Sequence, residues 1–196
     1  MGCGSKIRFL TDPRYQRPVA LYCAVEFLKI VALCIFAAVV YGVLHDQVTA
    51  RLCIEYFTVF HPPVFTTHSP TLLGLGWGVI ATWWAGAIIG ILLACAARFG
   101  ARNQASARQL VRPVCWLMCF MGVCTLTFGV LGYYKGSIPG VLGQSIPAAK
   151  HQAFVADWWA HSASYGCGFL GGTALCLLVV YQRLRVGRSS HRLVSS

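Results

Sequence analysis

The residues best able to do chemistry in this chain are imidazoles and carboxylates at the ends of two apolar runs. His45 and Asp46 close the first run, and Asp157 and His161 lie four apart near the start of the last. In a helix that spacing puts both side chains on one face, and Ser164, Tyr165 and Gly168 continue the stripe. Two imidazoles with carboxylates suit zinc, or iron or manganese in a two-histidine, one-carboxylate arrangement. A pair of axial imidazoles could instead hold haem. Glu55 or His61, from the connecting stretch, could join the metal set. The chain has only 5 acidic residues, so Asp46, Glu55 and Asp157 concentrate its negative charge at one level.

No spacing here is as specific as HExxH or a paired CxxC, so a structural role stands beside the chemical one. In that role Asp46 hydrogen-bonds the loop after it, Arg51 pairs with Glu55 at i, i+4, and Asp157 orients His161 or caps its helix. Cys53 is near His45 and His61 in sequence, but loop neighbours make no catalytic dyad without geometry. A second charged pair, Glu26 and Lys29, is three residues apart within the first apolar run. Either they pair while Lys29 snorkels to the headgroups, or Glu26 faces the bundle interior as a proton or cation ligand.

Membrane helices must position these groups. The 196 residues are 57% hydrophobic and 11% charged, with mean hydropathy +0.65, whereas soluble domains carry about 25% charged residues. A span needs about 20 mostly apolar residues, and four stretches qualify: residues 19–44, 72–97, 113–134 and 153–181. The expected fold is an all-α integral membrane protein with four transmembrane helices. Between helices 1 and 2 an ordered extracytoplasmic loop, within residues 45–63, forms a cap. Residues 52–60 suit a strand by their β-branched and aromatic content, or an interfacial helix. Pro139, Gly140, Gly143 and Pro147 keep the 135–152 connection irregular.

Gly74/Gly78 and Gly86/Gly90, each four apart, allow close approach of a neighbouring helix, in this chain, another copy or another membrane protein. Eight of the ten cysteines sit in apolar runs as small hydrophobes. Cys53 is the one clear candidate for an exposed loop thiol, so no intrachain disulfide is expected. Met1-Gly2-Cys3 is a poor match to an acylation signal because Lys6 stands where Ser or Thr belongs. The first apolar run is too long for a cleavable signal peptide.

Charge separates by side. The basic N-terminus (1–18), the 98–112 connection and the basic tail (182–196), expected to be disordered, each hold four Lys/Arg, against Arg51, Lys135 and Lys150 in the other two loops. By the positive-inside rule both termini are cytoplasmic. The basic patches are then topology determinants in contact with the lipid bilayer, not a nucleic-acid surface. No phosphate-binding loop, dinucleotide motif or serine elbow is present.

The stretches His45 to Pro63, Thr71 to Gly78 and Lys150 to Tyr165 resemble a group of small bacterial multi-pass inner-membrane proteins. The resemblance covers most of the loop-side half. It implies a bacterial inner-membrane setting and brings no activity, cofactor or catalytic residue. The expected function is that of a non-enzymatic accessory or interaction protein whose His/carboxylate cluster clasps the 45–63 loop. The alternative is a metal-binding protein or metalloenzyme using His45, Asp46, Asp157 and His161, with Glu55 or His61. A small oligomeric transporter is a weaker alternative, since no span reads as broken in its middle.

Overall fold

The computed structural model describes residues 13–100 and 103–192, with the side chains of residues 21–100, 103–140 and 143–185. Among these, all regular structure is helical: α1 (Pro13–Leu52), a π-helical turn (Tyr56–Phe60), α2 (Pro70–Ile80), α3 (Trp83–Arg98), α4 (Ala107–Lys135), α5 (Gly140–Ser145), a 3-10 turn (Ala148–Lys150) and α6 (His151–Arg192). Four stretches are long and apolar enough to cross a membrane: Leu21–Leu52, Pro70–Arg98, Ala107–Lys135 and Ala148–Arg185. Large apolar side chains face outward, as on Trp116 and Leu170, 75% and 74% exposed. A water-soluble monomer does not expose such a surface; this is an all-α, multi-pass membrane protein. The acylation expectation falls on Met1 to Cys3, outside the described residues.

Around the bundle, α1 packs along α2 and α3, α3 touches α6, α6 lies along α4, and α4 returns to α1. The first and last spans therefore face each other across the diagonal and are not side-by-side neighbours. Groups on their inner faces meet at the bundle centre.

Glycine sets the closeness of the second span to α1. A Cβ on Gly78 would lie 2.6 Å from the Val43 backbone, and one on Gly86 2.8 Å from the Cys34 carbonyl. Gly74 and Gly90 also face α1. All four glycines thus pack against the chain's own first helix.

Three elements depart from expectation. First, α1 continues about two turns beyond residue 44, so Gln47 to Leu52 are helix and the cap is correspondingly shorter. Arg51 holds that extension down, donating to the Gln47 carbonyl (2.5 Å), Gln47 Oε1 (2.8 Å) and Thr71 Oγ1 (2.8 Å). Its expected partner, Glu55, instead accepts from the Cys53 thiol at 3.3 Å.

Second, the second span is broken at Ala81–Thr82, contrary to the reading of unbroken spans. Thr82 Oγ1 donates to the Gly78 carbonyl at 2.5 Å, where the next helical N–H would otherwise bond. Third, α6 continues past residue 181 to Arg192, where a disordered tail was expected.

The two ends of the bundle are built differently. At the end where α1 begins, Glu26 accepts from Lys29 Nζ (2.9 Å) and from the Ala107 amide (3.0 Å), closing the start of α4. Arg98 is buried, donating to the Ala105 carbonyl and Cys23 Sγ with Tyr22 beneath its guanidinium. Arg183 donates to the carbonyls of Ala96, Phe99 and Asn103, a cation on the orphan carbonyls at the end of α3. At the opposite end, here the loop end, Cys53, Tyr56, Phe57, Leu73, Trp77, Ile146 and Phe154 form a buried cluster. Residues 56–60 are a helical turn there and not a strand.

Candidate metal centre

His45 and Asp46 lie two turns before the end of α1, and His161 lies ten residues into α6. Across the bundle diagonal they converge: one ligand atom from each of His45, Asp46 and His161 falls within 4.8 Å of the others. The His45 and His161 rings meet edge to face at 4.4 Å, and His161 Nε2 is 3.3 Å from Asp46 Oδ1.

Hydrogen bonding fixes what these atoms can do. His161 Nδ1 is 2.8 Å from the Asp157 carbonyl oxygen, which can only accept, so Nδ1 carries the proton. A neutral His161 then presents the Nε2 lone pair to a carboxylate oxygen, an acceptor facing an acceptor. That contact calls for a proton or a metal cation between the two atoms. His45 Nε2 makes the same demand: it is buried and has no hydrogen-bond partner. Ligand atoms sharing one tetrahedral ion at about 2.0–2.1 Å lie roughly 3.3 Å apart, the separation seen between Asp46 and His161. One separation in the trio thus matches a shared tetrahedral ion, and the three ligand atoms lie within 4.8 Å of one another.

The other expected ligands lie elsewhere. Asp157 is fully buried and both carboxyl oxygens lack partners, an arrangement that needs a proton or a cation nearby. It hydrogen-bonds His161 only through its backbone carbonyl, and its carboxyl lies within electrostatic reach of Asp46 and Glu55 as well as of Cys53 and Tyr56. Glu55 is bonded to Cys53. His61 Nδ1 donates to the Tyr56 carbonyl at 2.7 Å, its ring against Trp77 at 4.6 Å. These three surround the centre without joining the converging trio.

The cap seals the site. Tyr56 stacks on His161 at 4.5 Å and Phe57 meets it edge on at 5.8 Å. Burial pushes the Cys53 thiol up to about 12 and raises the Tyr56 hydroxyl as well, and it holds His61 below the ordinary imidazole value. Cys53, expected to be an exposed thiol, is 0% exposed.

Beneath the trio lies a cavity of about 90 Å³, enough for several waters or a slender chain. Tyr41, Thr82, Ser164 and Tyr165 make its lining polar near the trio, and Leu93, Val114 and Leu175 make it apolar further along the bundle. The helix break opens onto it: the Ala81 carbonyl accepts from Tyr165 Oη at 2.9 Å. Tyr41 Oη lies 2.8 Å from Thr125 Oγ1 and accepts from Ser164 at 3.2 Å.

Tyr41, Thr82 and Thr125 escaped the sequence reading. Tyr41 could have been found, since it lies one turn before His45 and stacks parallel to it at 6.0 Å. Thr125, two residues before Thr127 in a largely apolar helix, carried no such signal. No protein-family model, curated protein or solved structure matches this chain.

Proposed function

We propose that this is a metal-binding membrane protein in which His45, Asp46 and His161 hold one divalent ion, zinc or iron, facing the internal cavity. The observation that carries this reading is the buried, unpartnered His45 Nε2 beside the acceptor-to-acceptor contact of His161 and Asp46. Three protein ligands with a fourth position open to a pocket is the pattern of metal sites that act on a substrate, as opposed to sites that only brace a fold. A bacterial inner membrane, with the basic end in the cytoplasm, is the setting favoured by the arginine distribution. The centre then lies near the outer edge of the bilayer.

Elemental analysis of the protein purified without chelators tests this, beside His161→Ala and Asp46→Ala. About one zinc or iron per chain in the wild type and none in either variant is the expected result. Metal-free wild type would overturn the reading.

A second reading keeps the same residues as a clasp in an accessory or interaction protein. The stacking of Tyr56 and Phe57 on His161 favours it, since the cluster then serves to hold the cap in place. It predicts metal-free protein whose cap loosens when His161 is removed. Transport gains the broken second span but, among the described residues, no through-going polar path: between Glu26 and the polar part of the cavity lies an apolar cluster of Ile30, Leu93, Ala94, Ala97, Leu110 and Val114.

A further inference from the structure

The cavity has the shape of a slot, and its walls say what could fill it. Along α1 it runs from Asp46 to Cys34 and along α6 from His161 to Leu175, about 18–21 Å at 1.5 Å per residue, the reach of an extended chain of roughly fourteen carbons. Ala38 and Ala85 present small side chains on one side, and Met118 and Met121 line the other. Methionine adapts its shape to a flexible guest. Only the loop end of the slot is polar.

Charge selects the head of that guest. No lysine or arginine lines the slot among the described residues, so protein cations cannot hold an anion there. Two neutral imidazoles, one carboxylate and a divalent ion, with the unpartnered Asp157 carboxyl carrying its own proton, leave one net positive charge at the loop end of the slot. A single monoanionic head at the open position would neutralise it in a region of low dielectric.

Resting on the metal-centre reading, we infer that the slot binds a single-chain fatty carboxylate, its tail along the bundle axis and its carboxylate on the metal held by His45, Asp46 and His161. A fatty alcohol of the same length fits the slot equally but lacks the charge.

The test uses the full chain in a steroid-based detergent, too rigid to enter a one-chain slot. Palmitate and hexadecanol are titrated and read by native mass spectrometry, with metal content measured on the same samples. One palmitate per chain should bind to zinc-loaded protein. Its affinity should fall at least tenfold after metal stripping, and hexadecanol should bind at least tenfold more weakly. Ala85→Phe, which fills the slot, should lose palmitate and keep its metal. Ile88→Phe, which places the same ring on the exposed face, should keep both.

Palmitate binding unchanged in Ala85→Phe, or equal with and without metal, overturns the inference while leaving a measured metal site intact. Stoichiometric metal with no palmitate bound does the same. Protein that never holds metal overturns both readings. If Ala85→Phe loses its metal through misfolding, Ala85→Leu decides the matter by the same criteria.

Discussion

The two ends of the bundle both bury polar charge, and they treat it in opposite ways. Where α1 begins, Glu26 is satisfied by an ammonium and a backbone amide, and Arg183 by three backbone carbonyls. Among the described residues only Arg98 Nε is left without a partner there. At the loop end, His45 Nε2 and both oxygens of Asp157 are orphaned, and His161 faces Asp46 acceptor to acceptor. Buried polar groups that only brace a fold close upon one another or on the backbone. The loop-end groups are not closed in this way, which is what the metal-binding reading requires.

The sharpest way to break that contrast is to remove one group from each end. Asp46→Asn should abolish metal binding, yet leave the metal-free protein as stable as wild type or up to about 1 kcal/mol more so, because it removes an uncompensated charge. Glu26→Ala should retain full metal content. It should lower stability by roughly 1–2 kcal/mol through loss of the α4 amide cap and of a pair whose lysine is already half in solvent. Melting curves and metal analysis on both variants would show it. Equal destabilisation at the two ends would mean that the loop-end cluster is as structural as the other.

Cys53 asks whether the loop end is sealed. A thiol at about 12 offers about a thousandfold less thiolate than an ordinary cysteine, and full burial adds a steric barrier. In a variant keeping Cys53 as its only cysteine, maleimide labelling at pH 7.5 should be negligible until the protein is denatured. Rapid labelling of the native protein would mean that the cap stands open.

These contrasts explain what was legible beforehand. Four spans followed from hydropathy alone, because lipid demands about 20 apolar residues from every crossing. His45, Asp46 and His161 stood out because carboxylates are scarce and cluster at helix ends. The diagonal pairing of α1 and α6 did not follow, since apolar helices in lipid carry no stripe that names their neighbour. The break at Ala81–Thr82 was hidden because neither residue is proline or glycine. It is held by a threonine hydroxyl on one carbonyl and by Tyr165 on another, the latter from 84 residues away. Cys53 and Arg51 were misplaced for one reason: loop partners are tertiary, and the helix extension that orders them leaves no mark in composition.

The smallest expected effect is a pH dependence confined to the cap. Burial holds His61 below the ordinary imidazole value of about 6.5, its ring packed on Trp77 and Phe57. The unfolded chain therefore takes up a proton as pH falls through about 6.5, while folded His61 stays neutral until a lower pH. Over that interval the unfolded state binds more protons, so stability is complete above about pH 6.5 and declines on acidification. Asp46 acts in the opposite direction by favouring the charged ring, and the nearby His161 in the same direction as burial. His61→Gln should flatten the decline between pH 6.5 and 5 in thermal melts while leaving metal content at neutral pH unchanged, because His61 lies outside the ligand trio. If the variant instead lost metal, His61 would be a ligand or would hold one, and the boundary between the cap and the centre would have to be redrawn to include it.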